Sequence, residues 1–173
     1  MTEAPQWVPV AILFGLLALA YLAMLRGWRR RGRKHDLPPL VPVGEAPPDA
    51  LVAEGRYFGS TTSGNWLDRV VARGLGTRSS CRVSLSAGGL DVRRPRDSFR
   101  VPVAALRGVR QDRGIAGKVV PPNGVLVVTW QHGDHLLDSG FRLDSLAGPR
   151  AGAATSPREI HELIEETVTD LVA

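Results

Sequence analysis

The chain has a single cysteine, Cys81, so no intrachain disulfide is possible and the fold must hold without a covalent staple. That fits a reducing compartment. Cys81 alternates with Val83 and Leu85, the pattern of a small buried residue and not of a nucleophile. Lysine is nearly absent: Lys34 and Lys118 stand against twenty arginines. With the abundant Gly, Ala and Pro, this bias reads as the signature of a high-GC bacterial genome, without functional content. Excess charge is also missing from most of the chain. The formal net charge is +5, but six of the 22 basic residues lie between Arg26 and Lys34. Setting these and Glu3 aside leaves 16 basic and 16 acidic residues over His35–Ala173. A nucleic-acid footprint needs a basic domain, so no nucleic-acid partner is expected.

Long apolar runs are absent with one exception. Trp7–Leu25 (WVPVAILFGLLALAYLAML) is nineteen residues without a charge. At a rise of about 1.5 Å per residue it spans ~28 Å, close to the hydrocarbon thickness of a bilayer. Trp7 and Trp28 fall at its ends, where amphipathic rings favour the headgroup region. Pro9 falls in the first turn, where a missing N–H costs least. A transmembrane helix is therefore expected over residues 7–28, behind an extracytoplasmic tail at 1–6. Only Glu3 and the terminal amine precede it, whereas Arg26, Arg29, Arg30, Arg31, Arg33 and Lys34 follow it. Positive residues stay inside, so the N-terminus is expected outside a bacterial plasma membrane and the rest of the chain in the cytoplasm. These six cations are also expected to attract anionic headgroups, although a topological stop signal explains them better than a specific lipid site does. A cleaved signal peptide is the competing reading, and Ala18-Leu19-Ala20 resembles a cleavage site. Signal peptides carry their positive charge before the apolar core, and here the order is reversed.

Residues 29–50 combine the basic juxtamembrane segment with a proline-rich linker. His35–Ala50 holds five prolines and no apolar period, which predicts a semi-rigid, partly polyproline-II spacer. From residue 51 to 173 the patterning is that of one small domain, mainly β. Glu54–Ser60 is a plausible first strand, and Trp66 to Val71 suggests a short helical turn between Asn65 and Gly74. Cys81–Leu85 alternates and is expected to turn at Gly88-Gly89 into Leu90–Arg93. Phe99, Val101 and Val103 alternate again, and a further strand covers Leu106–Asp112. The clearest hairpin is Val125–Gln131 with His135–Leu143. A Gly133-Asp134 turn places Trp130 opposite Leu137, Val128 opposite Ser139, Leu126 opposite Phe141 and Thr129 opposite Asp138. That register makes a sheet with one buried side. Ser156-Pro157-Arg158-Glu159 is a capping box, and Ile160, Leu163, Ile164, Thr167, Val168 and Leu171 then mark one face of a helix. About seven strands followed by an amphipathic helix predict a small antiparallel barrel capped at its C-terminus.

Several runs resemble a family of bacterial, mainly actinobacterial, single-pass membrane proteins with a PH-like domain. They are Tyr57–Thr62, Asn65–Val70, Gly74-Leu75-Gly76, Gly114–Lys118, Val127–Trp130 and Asp138–Arg142. The resemblance covers essentially the whole chain. It implies a seven-stranded antiparallel barrel capped by one helix, in agreement with the element order. It implies little chemistry, since PH-like folds bind phosphoinositides, peptides or other proteins, and fold alone does not choose.

No catalytic constellation emerges, and no metal or cofactor is expected. Gly114–Val119 looks at first like a phosphate loop, but a P-loop needs glycine where Asp112 sits and Ser or Thr where Val119 sits. It remains a Gly-rich loop presenting Lys118 to an anion or partner. Gly74-Leu75-Gly76 lacks the third glycine of a dinucleotide fingerprint and precedes a strand. His132, Asp134, His135 and Asp138 cluster like metal ligands, but they flank a tight turn where solvated polar residues belong. Arg93, Arg94 and Arg96 form a second candidate for lipid phosphates or an acidic partner, weighed against a plain solvated loop near Asp91 and Asp97. The expected function is a membrane-tethered binding or scaffold module at the cytoplasmic face, accessory to a protein partner. An anionic-lipid headgroup reader is the first alternative, and a transport-associated or enzymatic subunit the second. The topology is directly checkable. Protease added to intact cells should leave residues 51–173 whole and should digest them in inverted vesicles, and the opposite pattern would overturn the orientation.

Overall fold

The structure, a computed structural model, describes residues 7–33 and 37–172, and the chain divides into two units at residue 36. The first unit is helix α1, Trp7–Arg33. Within it Val10–Gly27 has a mean hydropathy of 2.0 and is long and apolar enough to cross a membrane. Its Leu13, Phe14, Leu17 and Leu22 side chains are exposed. The helix runs past the expected end at residue 28, because the arginine-rich stretch after it favours helix and contains no proline. The tail at 1–6 and Lys34 lie outside the described residues.

The second unit is built on one curled antiparallel sheet. Its strands are β1 (Leu51–Thr62), β2 (Ser79–Ser86), β3 (Gly89–Arg93), β4 (Phe99–Pro102), β5 (Leu106–Asp112), β8 (Val125–His132) and β9 (His135–Ala147). A separate two-stranded hairpin, β6 (Gly114–Ile115) and β7 (Lys118–Val119), interrupts the connection from β5 to β8. The order across the sheet is β4-β3-β2-β1-β9-β8-β5. Every neighbour is a chain neighbour except one, the pairing of β1 with β9, which joins the two halves. The result is a seven-stranded half-barrel. Helix α2 (Pro157–Val172) packs against β5 and β9 and closes it.

The capping box forms as expected: Ser156 Oγ accepts from the Glu159 N–H at 3.3 Å, and Glu159 returns an acceptor to the Ser156 N–H at 3.4 Å. Ile160, Ile164 and Val168 then enter the core, with Leu163 and Leu171 at its margin. Between Ile160 and the next turn lies His161, fully buried, whose Nε2 accepts from the Leu143 N–H at 3.1 Å. Burial lowers its pKa, so a neutral imidazole ties α2 to β9.

The interior is filled by aromatic side chains. Tyr57, Phe99, Trp130 and Phe141 are all within 1 % of full burial, with Phe99 stacked on Trp130 at 5.6 Å and Tyr57 tilted on Phe141 at 5.5 Å. Burying a tyrosine and a tryptophan requires partners for their polar ends. The Tyr57 hydroxyl donates to the Leu75 carbonyl at 2.8 Å. A carbonyl only accepts, so Ser60 Oγ, 2.6 Å from the same phenol oxygen, donates to it. Ser139 Oγ in turn donates to Ser60 at 2.6 Å, and the Trp130 indole N–H donates to Ser139 at 2.9 Å. Every proton has one direction. Burial pushes the Tyr57 phenol up to about 12, so the chain keeps its protons at physiological pH.

The register predicted for the last hairpin is the one observed: Leu126 faces Phe141, Val128 faces Ser139, Thr129 faces Asp138, Trp130 faces Leu137 and His132 faces His135. Four expectations change. The β2–β3 turn is Ala87-Gly88, one residue earlier than Gly88-Gly89, because Ser86 pairs with Gly89. No helical turn covers 66–71; irregular turns bridge Thr61 to Arg69, and only Ala72–Gly74 makes a 3-10 turn. The sheet is not one-sided at β8, since Val125 and Val127 on its outer side are buried with Phe58, Ile115 and Ala116. The fourth change concerns the proline-rich stretch, which is no free spacer from Leu37 onward. Leu37 is buried in the core, Val41 bridges Arg100 across the β4 edge, and Arg73 donates to the Leu37 carbonyl at 2.9 Å. Prolines cannot form a ladder, but the apolar residues between them still seek a core.

Removing one hydroxyl from the buried chain should be costly. Ser139→Ala strands the Trp130 N–H without an acceptor and leaves Ser60 one donor short, an expected loss of about 1–3 kcal/mol. Urea denaturation would read this as a lower midpoint with an unchanged slope, and an unaltered midpoint would refute the network's role.

Candidate ligand-binding face on the outer sheet

The β6–β7 hairpin lies on the outer side of the sheet and creates the surface relief there. Ala116 and Gly117 have φ of 52° and 71°, the two positive values of a type I′ turn, which makes the hairpin as tight as two strands allow. Ile115 seats on Gly140 of β9, where a Cβ would stand 2.3 Å from Ile115 Cγ2. Only glycine leaves that space. Arg69 then clamps the turn, donating to the Ala116 carbonyl at 2.6 Å and to the Gly76 carbonyl at 3.0 Å. The Gly117 N–H reaches the Trp66 carbonyl at 3.3 Å. Phe58, Val125 and Val127 are buried beneath.

Two clefts flank this hairpin. The first, of about 410 Å3, is lined by Trp66, Arg110, Asp112, Arg113, Val119 and Asp138 among others. Arg110, Asp112 and Asp138 answer one another, and Arg113 stays exposed. Asp138, 3 % exposed, accepts from Arg110 at 2.8 Å and from Thr129 at 2.7 Å. Burial alone would raise its pKa, but these hydrogen bonds and the Arg110 charge outweigh burial and hold the carboxyl below its ordinary value. Beside these charges the cleft leaves apolar surface open: Trp66 is 46 % and Val119 72 % exposed, and the adjacent Leu67 63 %.

The second cleft, of about 460 Å3, is lined by Arg56, Phe58, Arg78, Lys118, Val119, Val120, Arg142 and Asp144. It continues into shallower depressions past Gly55, Ser80 and Asp144 as far as Arg82 and Arg93. Arg56 and Arg142 are direct cross-strand partners, and the Arg78 guanidinium sits 4.6 Å from the centre of the Phe58 ring. Sequence reasoning missed Arg56, Arg78 and Arg142. Their meeting depends on the β1–β9 pairing, which joins residues more than eighty positions apart and has no local signal.

The residues singled out from the sequence are placed unequally. Lys118 is exposed at one end of this groove. Arg93 is exposed at the other end and donates to the Gly44 carbonyl of the proline-rich stretch. Arg96 is exposed in the β3–β4 turn. Arg94 does not belong with them as a surface cation. It is 8 % exposed, its guanidinium lies 4.5 Å from the Tyr57 ring centre, and it donates to the carbonyls of Gly74, Thr77 and Asp97. These donors hold two loops onto the end of the barrel and are not open to a ligand. Arg26 is exposed on α1; Arg29, Arg30, Arg31 and Arg33 fall in its final turns. Cys81 is buried, and burial pushes its thiol up to about 12, so it carries no thiolate. His132 lies 3.0 Å from the Pro38 carbonyl while Asp138 faces Arg110, and among the described residues no three His, Cys, Asp or Glu side chains converge.

The seat of the hairpin is testable by a double-mutant cycle. Gly140→Ala forces the Ile115 side chain off the sheet and should cost about 1–3 kcal/mol as overpacking. It should also speed hydrogen exchange at the Gly117 and Val120 amides. In an Ile115→Ala background the same change should cost markedly less. Equal costs in both backgrounds would refute the contact.

No curated protein matches the chain. Residues 36–154 match the family described as Bacterial PH domain-like, a stretch that begins where the proline-rich segment joins the domain and takes in the whole sheet. With that match over most of its length, and with a half-barrel closed by a C-terminal helix, the chain belongs to the bacterial PH domain-like family.

Proposed function

We propose that the protein is a membrane-tethered binding module that holds a protein partner at the cytoplasmic face of the bacterial plasma membrane. The family and fold support a binding or scaffold role. One observation carries the reading furthest. The barrel interior is occupied by Tyr57, Phe99, Trp130 and Phe141, so recognition falls to the outside. There Trp66, Leu67 and Val119 stand exposed beside a cleft whose carboxylates are already paired with Arg110. Isolated apolar side chains on a surface need no explanation, but a tryptophan, a leucine and a valine grouped at a clamped hairpin do. Tryptophan in particular is the residue that most often anchors a protein interface. The apolar helix supports the tether, and the cations after it support a cytoplasmic domain. No enzymatic role is assigned.

Site-directed crosslinking in native membranes tests this. A photoreactive side chain at position 66 or 119 of the full-length protein should give a discrete protein adduct, and one at Glu162 or Glu166 on the outer side of α2 should not. Trp66→Ala should abolish co-purification of the same adduct partner. Identical adducts at all four positions, or none at 66 and 119, would sink the proposal.

A further inference from the structure

The second cleft concentrates positive charge. Like charges placed directly opposite on a sheet destabilise it, yet Arg56 and Arg142 are such a pair. Arg78 and Lys118 line the same cleft, so four cations surround about 460 Å3. The only acid among the lining residues is Asp144, and Arg142 already engages it at 3.1 Å. Arg56 and Lys118 have no ion pair among the described residues. Other arginines of the sheet are matched by acids or by backbone: Arg82 with Glu54, Arg100 with Asp91 and Arg110 with Asp138, while Arg93 and Arg107 donate to carbonyls. A register irregularity at Glu54/Gly55 lies immediately before Arg56, and a Cβ at Gly55 would stand 2.0 Å from the Arg142 carbonyl oxygen. The close approach of β1 and β9 that holds the two arginines together is thus built into the backbone.

We propose that the Arg56–Arg78–Lys118–Arg142 cleft binds the phosphate group of a small ester, either a lipid headgroup or a soluble phosphate. Three guanidinium forks and an ammonium suit a tetrahedral group with several anionic oxygens better than a single carboxylate, which one fork would satisfy. The cleft is also larger than one carboxylate fills. Phe58 forms an apolar floor over which the Arg78 guanidinium sits, so one of the forks is positioned before any ligand arrives. This site lies on the other side of the hairpin from Trp66 and does not depend on the partner reading.

The test uses the full-length chain in nanodiscs, observed through the side-chain Nε–H resonances of Arg56, Arg78 and Arg142. In phosphatidylcholine discs, glycerol 3-phosphate is titrated against sodium chloride of equal ionic strength. In a second arm, part of the phosphatidylcholine is replaced by cardiolipin. Shifts with the soluble ester, beyond those with chloride, identify a soluble phosphate as a ligand. Shifts confined to cardiolipin discs identify a headgroup. Arg56→Gln should weaken whichever response is seen by about tenfold or more, as expected for losing a charged hydrogen bond. Without ligand, the same variant should unfold at the same or a higher temperature, because a repulsion is relieved. Unmoved resonances in both arms, undiminished binding in Arg56→Gln, or a lowered unliganded midpoint would each overturn the proposal.

Discussion

The chain of hydrogen bonds from the Trp130 indole to the Leu75 carbonyl is the constraint around which this domain is organised. It begins on β8, crosses β9 at Ser139, crosses β1 at Ser60 and Tyr57, and ends on the long connection between β1 and β2. Those three strands are the ones that make the sheet continuous, since β1 and β9 form its only pairing between chain-distant elements. A buried hydroxyl without a partner costs more than a satisfied one contributes, so the network tolerates only one arrangement. Sliding β1 by one residue against β9 would turn Tyr57 and Ser60 outward and leave the Ser139 hydroxyl without its acceptor. The apolar residues of the core would accept many packings. The four polar ones select a single register.

The same pairing fixes what lies outside. Once Tyr57 faces the core, Arg56 and Phe58 face the outer side, opposite Arg142 and near Gly140 of β9. Gly140 leaves the gap that Ile115 fills, and the hairpin that brings Ile115 also brings Lys118 and Val119. A partly apolar cleft and a cationic one are therefore consequences of one strand register and one missing side chain. Neither needs residues that move, and both are lined by strands of the sheet together with the clamped hairpin and its neighbouring loops. That is the rigidity a binding surface requires.

How much of this could be read from the sequence depended on distance along the chain. The β8–β9 hairpin was legible residue by residue, because its turn and its alternation lie within twenty positions. The capping box and the apolar face of α2 were legible for the same reason. The β1–β9 register was not, and with it went the meeting of Arg56, Arg78 and Arg142. The one-sided reading of β8 failed because Val125 and Val127 alternate with Leu126 and Val128, giving a run apolar on both faces. Such a run signals two covered sides, and the cover was a six-residue hairpin too short to register as strands. The proline-rich stretch was misread for a different reason. Composition describes what a segment does when free, whereas Leu37, Leu40 and Val41 had a core and a sheet edge within reach.

The arginine bias also acquires structural content that a genome-composition reading denies it. The domain has long irregular connections, and their carbonyls need donors that no ladder supplies. Arginine supplies them repeatedly. Arg69 joins Gly76 to Ala116, Arg73 reaches Leu37, Arg93 reaches Gly44, and Arg94 joins Gly74 and Thr77 to Asp97. A planar fork can hold two carbonyls of different loops in one plane, and an ammonium on a flexible stem is poorly suited to that. Several cations in a nominally neutral domain are thus spent on backbone and are electrostatically unpaired with any acid. Net charge is accordingly a weak guide to where this protein meets anions. The stronger guide is which arginines remain after the loops have been stapled, and around the second cleft those are Arg56, Arg78 and Arg142.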